Sequence, residues 1–222
     1  MKRLALALPV LLAATLLSGC GGGDQDVLTV NGNAVLTDDE LRSELDQMLD
    51  DDEFLTANDA RGDNGNLRSG FVSVVLTNHV ASALLAEELE ANDLEVVDED
   101  RAAAEDLVSL QLAQPGTQGV PPSEIDDLPE DYRESLVGLY ANFIALIVSG
   151  SDDPQADRDT LAQGQAVDAI GEVQDRLQEL RLEADVDVDS RYGHWDSELG
   201  EVAPTEGPVA PTTTIPLTVP GG

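Results

Sequence analysis

The chain of 222 residues has very little cysteine, lysine and aromatic residue. Cys20 is its one cysteine, Lys2 its one lysine, and aromatic residues make up 3%. A single cysteine excludes a disulfide within the chain, and so few aromatics leave the core to Leu, Val and Ala. Basic residues are also scarce, with 11 Lys plus Arg against 45 Asp plus Glu and a formal charge of −34. This charge argues against nucleic acid as a partner, because phosphates would be repelled.

The position of Cys20 predicts a lipidated export signal. Lys2 and Arg3 form a positive start, residues 4–17 are apolar, and small residues precede Cys20. The Leu-Ser-Gly-Cys ending resembles a bacterial lipobox, which implies cleavage before Cys20, acylation of that cysteine and a location at the extracytoplasmic face of the cell membrane. About 14 apolar residues are too few for a membrane span of roughly 20. The alternative is an ordinary cleaved signal with a chance cysteine.

The composition of the mature chain predicts one acidic folded domain. Loss of Lys2 and Arg3 would leave 9 basic residues, all Arg, against 45 acidic ones, a formal charge of −36. Such an acid-rich, lysine-poor chain is typical of saline habitats or of high-GC genomes, and composition does not separate the two. Because 41% of the residues are hydrophobic, the chain differs from a disordered acidic one. We expect one domain of about 150 to 180 residues.

Composition shifts along the chain predict four segments. Residues 1–19 are the signal peptide, residues 20–26 a flexible Gly-rich spacer, residues 27–196 the folded domain and residues 197–222 a disordered tail rich in Pro and Thr. A glycosylated stalk is an alternative reading of that tail.

The hydrophobic pattern predicts a mainly α-helical fold with a small β-hairpin. Two β-favouring runs within residues 27–36 flank Asn31 and Gly32, a typical tight turn. Thr37 and Glu40 form the T-x-x-E pattern of a capping box, which begins a first helix. Further apolar periodicity and breaker residues predict the remaining helices near 69–91, 98–114, 130–148 and from Pro154 to about 183, with loops over 56–68 and 115–129. The helix predicted at 130–148 is the most apolar and is expected to be central.

No catalytic or metal-binding constellation emerges from the residues. His79 lies inside a predicted helix and His194 in a Tyr-Gly-His-Trp cluster, where packing roles are favoured for both. Two distant histidines make a poor zinc site, and the chain has no G-x-S-x-G serine motif. The loop around Gly65 fails the EF-hand spacing, and the Arg61, Gly62, Asp63 tripeptide is too short to indicate adhesion. We therefore expect no enzyme activity, no metal and no cofactor.

The order of motifs resembles the amino-terminal domain of SurA-type chaperones and PrsA-type foldase lipoproteins. The carriers of the resemblance are Val30, Asn31 and Gly32, followed by Thr37 and then Glu40 with Leu41 in the capped helix. The junction around residues 90–96 and the closing segment from residue 184 to Asp196 match further short patterns of such lipoproteins. This resemblance implies a helical chaperone module, in which Val186 and Val188 return to pair with the hairpin and join both ends of the domain in one sheet.

The chain departs from these families in lacking a parvulin domain. Residues 98–183 form helices in the prediction and leave no room for the strands that a prolyl isomerase domain needs. The resemblance thus implies a membrane-anchored, extracytoplasmic chaperone-like lipoprotein that binds unfolded or exported polypeptides in apolar grooves between helices, without catalysis. The alternative is an envelope scaffold with one defined protein partner. The polypeptide-binding residues are unknown from the sequence.

Overall fold

Seven α-helices and five short strands are formed by the residues that the computed structural model describes, which are 25–62, 65–113 and 125–205. The predicted mainly helical class with a small antiparallel sheet is confirmed. In chain order the elements are β1 (Asp26–Val30), β2 (Asn33–Thr37), α1 (Asp38–Leu49), α2 (Asp52–Ala57), α3 (Ser69–Ala91), α4 (Asp98–Leu112), α5 (Glu130–Ser149), α6 (Pro154–Ala162), α7 (Ile170–Glu183), β3 (Val186–Val188), β4 (His194–Asp196) and β5 (Glu201–Ala203).

The amino-terminal hairpin and the carboxy-terminal strand β3 share one antiparallel sheet. Asn31 and Gly32 turn the chain with positive φ angles of 51° and 80°. The strand order is β2, β1, β3, and Leu28 of β1 lies opposite Val188 of β3. The expected return of Val186 and Val188 to the hairpin is therefore confirmed.

Helix α1 starts at the predicted capping box. The Thr37 hydroxyl accepts a hydrogen bond from the Glu40 backbone N–H, and the Glu40 carboxylate accepts one from the Thr37 N–H at 2.9 Å. Both exchanges satisfy donors that the first helical turn leaves without partners. The short motif thus fixes where the hairpin ends and the helical body begins.

Helix α5 is the central element of the helical body, as its apolar sequence predicted. It contacts α1, α3, α4, α6 and α7. Phe143, Ile144 and Ile147 are fully buried in it. A helix that is apolar on most of its circumference is stable only when other helices cover it on several sides.

Helix α3 is long and apolar enough to cross a membrane by length and composition, but 56% of its most apolar window is buried inside the protein. It packs against α5, α7, β1, β2 and β5. Val75, Leu76, Val80 and Leu84 have at most 1% of their surface exposed. In this structure α3 is a helix of the protein core.

Two parts of the helical prediction differ from the structure. The predicted long last helix is two helices, because α6 ends before Gly164, which has a left-handed φ of 69°. The expected loop at 56–68 is preceded by α2, where the Asp51 carboxylate caps the helix by accepting from the Phe54 N–H at 2.8 Å.

The boundary of the folded part at Asp196 was placed too early. Strand β5 pairs with β4, and its Val202 is 3% exposed. The Val202 N–H donates to the Thr77 hydroxyl of α3 at 2.9 Å. Gly193 permits this arrangement, because a Cβ there would lie 2.6 Å from the Ala203 carbonyl oxygen. Residues 206–222, the rest of the predicted tail, lie outside the described residues.

Candidate functional site

The apolar helix faces that were expected to leave a binding groove are packed against each other. Leu85, Leu107, Leu136 and Leu161 each have at most 1% of their surface exposed. In the described ranges only three large apolar side chains are exposed, which are Val97 at 41%, Leu182 at 44% and Leu199 at 60%. The interior of the helical body is therefore filled by its own side chains.

A polar pair of a buried glutamate and a half-buried histidine joins α1 to α3. The Glu44 Oε2 atom lies 2.8 Å from His79 Nε2, and the Glu44 side chain is 4% exposed. The second carboxylate oxygen of Glu44, Oε1, is buried without a hydrogen-bond partner. Removing a charge from water is costly unless a partner compensates it, so His79 is the group that makes Glu44 tolerable in this position.

The groups around this pair are acidic or strongly buried. Burial raises the pKa of Tyr132 far above its ordinary value, and the nearby charge of Glu44 raises it further. The backbone N–H of Thr37 and then its hydroxyl lower the pKa of Glu40, and His79 adds a smaller effect of the same sign. A phenol held in its protonated form is unsuited to act as a base. The expected packing role of His79 agrees with this geometry.

An ion pair between a fully buried carboxylate and a half-buried guanidinium joins α4 to α6. Arg158 Nε donates to Asp100 Oδ1 at 2.7 Å, and Asp100 has no exposed surface. The other carboxylate oxygen of Asp100 accepts from the Val97 N–H at 2.9 Å, which caps the start of α4. One carboxylate thus fixes both the beginning of a helix and the position of its neighbour.

The two ends of the domain meet in a network around Asp38, at the start of α1. The Tyr192 hydroxyl donates to Asp38 Oδ1 at 2.9 Å, and Arg191 lies 3.0 Å from the same atom. The hydrogen bond from Tyr192 is the largest cause that lowers the pKa of Asp38. Arg191 also pairs with Asp189 and lowers its pKa. The network fastens the carboxy-terminal segment to α1.

The remaining sequence candidates do not come together into a site. His194 is exposed in β4. Arg61 pairs with Asp52 at 2.5 Å, and Asp63 of the tripeptide lies outside the described residues, as does Cys20. Among the residues that the structure describes, no group of three or more His, Cys, Asp or Glu side chains could hold a metal ion.

Glu44, Asp100 and Arg158 were missed because their sequence positions resemble ordinary surface charges. Glu44 lies three residues after Leu41 and four before Met48, on the apolar face of α1, and this spacing could have predicted its burial. Asp100 occupies the third position of α4, where an acidic residue often caps the helix start. No feature of the sequence indicates that Arg158 is its partner.

No protein-family model, curated protein or solved structure matches the chain.

Proposed function

We propose that this protein is a membrane-anchored, extracytoplasmic chaperone-like lipoprotein that binds unfolded exported polypeptides without catalysing a reaction. The observation that carries the proposal is the pairing of β3 with β1, which joins both ends of the domain in one sheet beside a helical body. This is the arrangement implied by the resemblance to SurA-type and PrsA-type chaperone modules. Acylation of Cys20 would hold the module at the membrane, near emerging chains.

The packing of the helices constrains how a client chain would bind. Because the apolar faces of α3 and α5 are buried, clients must contact the outer surface of the module. Carboxylates outnumber basic groups in the mature chain, with 45 acidic residues against 9 basic ones. Electrostatic attraction therefore favours cationic or neutral clients over acidic ones.

The proposal is tested by aggregation assays with the purified full chain. At low salt, we expect a severalfold molar excess of the protein to slow the aggregation of reduced lysozyme, a cationic client. The effect on reduced α-lactalbumin, an acidic client, should be smaller. Equal aggregation of lysozyme with and without the protein would refute chaperone activity. Measurable prolyl isomerisation by the pure protein would contradict a function without catalysis.

The membrane location has a separate test. Cys20→Ser removes the acylated thiol, so we expect the protein to leave the membrane fraction, while Ser18→Ala leaves that thiol in place and should preserve membrane association. Unchanged membrane association of the Cys20 variant would contradict lipid anchoring.

An envelope scaffold with one defined partner is the second candidate. The observation that favours it is that few large apolar side chains are exposed. Among the described residues they are Val97, Leu182 and Leu199. Crosslinking in membranes followed by purification separates the two functions. One stoichiometric protein would support a scaffold, whereas many exported proteins would support a chaperone.

A further inference from the structure

Strand β2 is an outer strand of the three-stranded sheet. β1 lies between β2 and β3, and across residues 25–62, 65–113 and 125–205 no strand pairs with the outer side of β2. Natural proteins usually protect such an edge with charged residues, proline, a β-bulge or a very short strand. β2 has five residues, Asn-Ala-Val-Leu-Thr, without charge or proline, and its register against β1 shifts between the Leu28–Leu36 and Thr29–Ala34 pairs. By contrast, β3 carries a charge at Asp187 and contacts β4.

The backbone N–H and C=O groups of Ala34 point toward the outer edge of β2. The Asn31 N–H donates to the Asp185 carbonyl, and the Val27 carbonyl accepts from the Asp189 N–H. The backbone N–H and C=O groups of the odd-numbered residues of β1 therefore point toward β3. Thr29 therefore also faces β3, and Ala34, which lies opposite Thr29, directs its N–H and C=O to the outer edge. Ala34 is exposed to solvent. Its peptide groups are thus accessible to an added strand.

The surroundings of this edge are acidic. Asp39 and Glu40 follow β2 and are exposed. Glu87 of α3 lies beside the turn, where it accepts hydrogen bonds from the side chains of Asn31 and Asn33 at 2.6 and 3.1 Å. A basic segment is attracted to such an edge, whereas a second copy of this chain, with a formal charge of −34, is repelled.

We propose that the outer edge of β2 binds an extended, basic polypeptide segment, which joins the sheet as a further strand. This inference rests on the proposed chaperone function and gives the surface on which an unfolded chain is held. Backbone hydrogen bonds supply affinity that depends little on side chains, and the acidic surroundings select cationic segments. Binding therefore requires no opening of the helical core.

Amide hydrogen exchange tests the inference directly on the full chain at low salt. The probe is an octapeptide of alternating Arg and Val, and an octapeptide of alternating Glu and Val is the control. We expect the basic peptide to slow exchange of the Ala34 N–H by about tenfold or more, since that amide becomes hydrogen-bonded, and the acidic peptide to leave it unchanged. The basic peptide methylated at alternate amide nitrogens should not bind.

Several outcomes would overturn the inference. One is binding of the basic peptide without protection of Ala34, and another is equal binding of the methylated peptide. Protection of Ala34 in dilute, peptide-free protein would mean that another segment of the same chain covers the edge. Protection that grows with protein concentration would mean that a second copy covers it.

Substitutions at Ala34 give a second test. Ala34→Pro removes the outward N–H without removing a hydrogen bond to β1, so we expect peptide affinity to fall about tenfold or more, whereas Ala34→Val should stay within about twofold. Unchanged affinity of a folded Ala34→Pro variant would overturn the edge site. The peptide experiments on the unaltered chain remain decisive if this variant does not fold.

The two proposals fail in different ways. If the unaltered chain protects reduced lysozyme from aggregation and the folded Ala34→Pro variant does so equally well, the chaperone function stands and the edge site is refuted. If the unaltered chain binds the basic peptide at Ala34 but does not slow aggregation, the edge site stands and the chaperone function is refuted.

Discussion

The buried Glu44 of α1 pairs with the half-buried His79 of α3, with 2.8 Å between Glu44 Oε2 and His79 Nε2. The other carboxylate oxygen of Glu44 has no hydrogen-bond partner. The histidine therefore contributes to stability mainly by compensating a charge that α1 places in the core.

Substitution of His79 alone should be strongly destabilising. His79→Leu leaves the Glu44 carboxylate buried without its partner, and we expect the free energy of unfolding to fall by about 3 to 5 kcal/mol. The double variant with Glu44→Leu should recover most of this loss, because it removes the isolated charge. Urea denaturation of both single variants and the double variant measures the coupling.

Arg61→Ala is the matched control for this cycle. It breaks the exposed pair with Asp52, whose side chain is 91% exposed, and should change stability by less than about 1 kcal/mol. A loss in the double variant equal to the sum of the losses in His79→Leu and Glu44→Leu would show that the pair is not coupled.

The hydrogen bond from Tyr192 should control the acid sensitivity of Asp38. Tyr192→Phe removes the largest cause of the lowered pKa, so we expect the pKa of Asp38 to rise toward its ordinary value of 3.8. A carboxyl with a lowered folded-state pKa stabilises the protein above its unfolded-state pKa, and this contribution disappears as pH falls through the folded-state value. The variant should therefore lose less stability than the unaltered chain when the pH falls from 5 to 2. Stability is measured in steps of about one pH unit.

Titration of Asp38 by NMR measures the pKa change, and urea denaturation across the same pH range measures the stability. Tyr140→Phe is the control, because the Tyr140 hydroxyl donates to Gln111 and not to a carboxylate. A shift of the Asp38 pKa in the control as large as in Tyr192→Phe would contradict the assignment.

The contact between β5 and α3 should make residues after Asp196 part of the folded domain. Thr77→Val keeps the side-chain shape but removes the acceptor of the buried Val202 N–H, and we expect a loss of about 1 to 3 kcal/mol. Thr56→Val is the control, since the Thr56 hydroxyl is exposed and donates within its own helix to the Asp52 carbonyl. Thermal or urea unfolding compares them, and equal stability of both variants would argue against a structural role for β5.

Salt should stabilise the whole protein. With a formal charge of −34, the folded chain repels itself, and dissolved ions screen this repulsion. We expect Tm to rise between low and molar NaCl, by about 2 to 4 °C for each kcal/mol gained. A Tm that does not respond to salt would show that the acidic surface costs little stability.

Local patterns predicted most of the elements, and the family resemblance predicted the return of β3 to the hairpin, whereas the partners of the buried charged side chains could not be predicted from the sequence. The bounds of α3 followed from apolar periodicity, and the start of α1 from the capping box of Thr37 and Glu40. The gap between α6 and α7 was missed because apolar residues continue at helical spacing past Gly164. β5 was missed because three residues are too few for a periodic signal, and its burial depends on Thr77, 125 positions away.

The position of β1 between β2, which follows it directly, and β3, which lies near the other end of the domain, has a consequence for the order of folding. Leu28 and Val188 lie opposite each other although 160 positions separate them. A two-stranded hairpin alone is only marginally stable, and pairing over such a distance is slow. Under the proposed route of export, the sheet cannot be completed until residue 188 has crossed the membrane. Until then the exported part of this chain is itself an unfolded polypeptide, like the clients that the protein is proposed to bind.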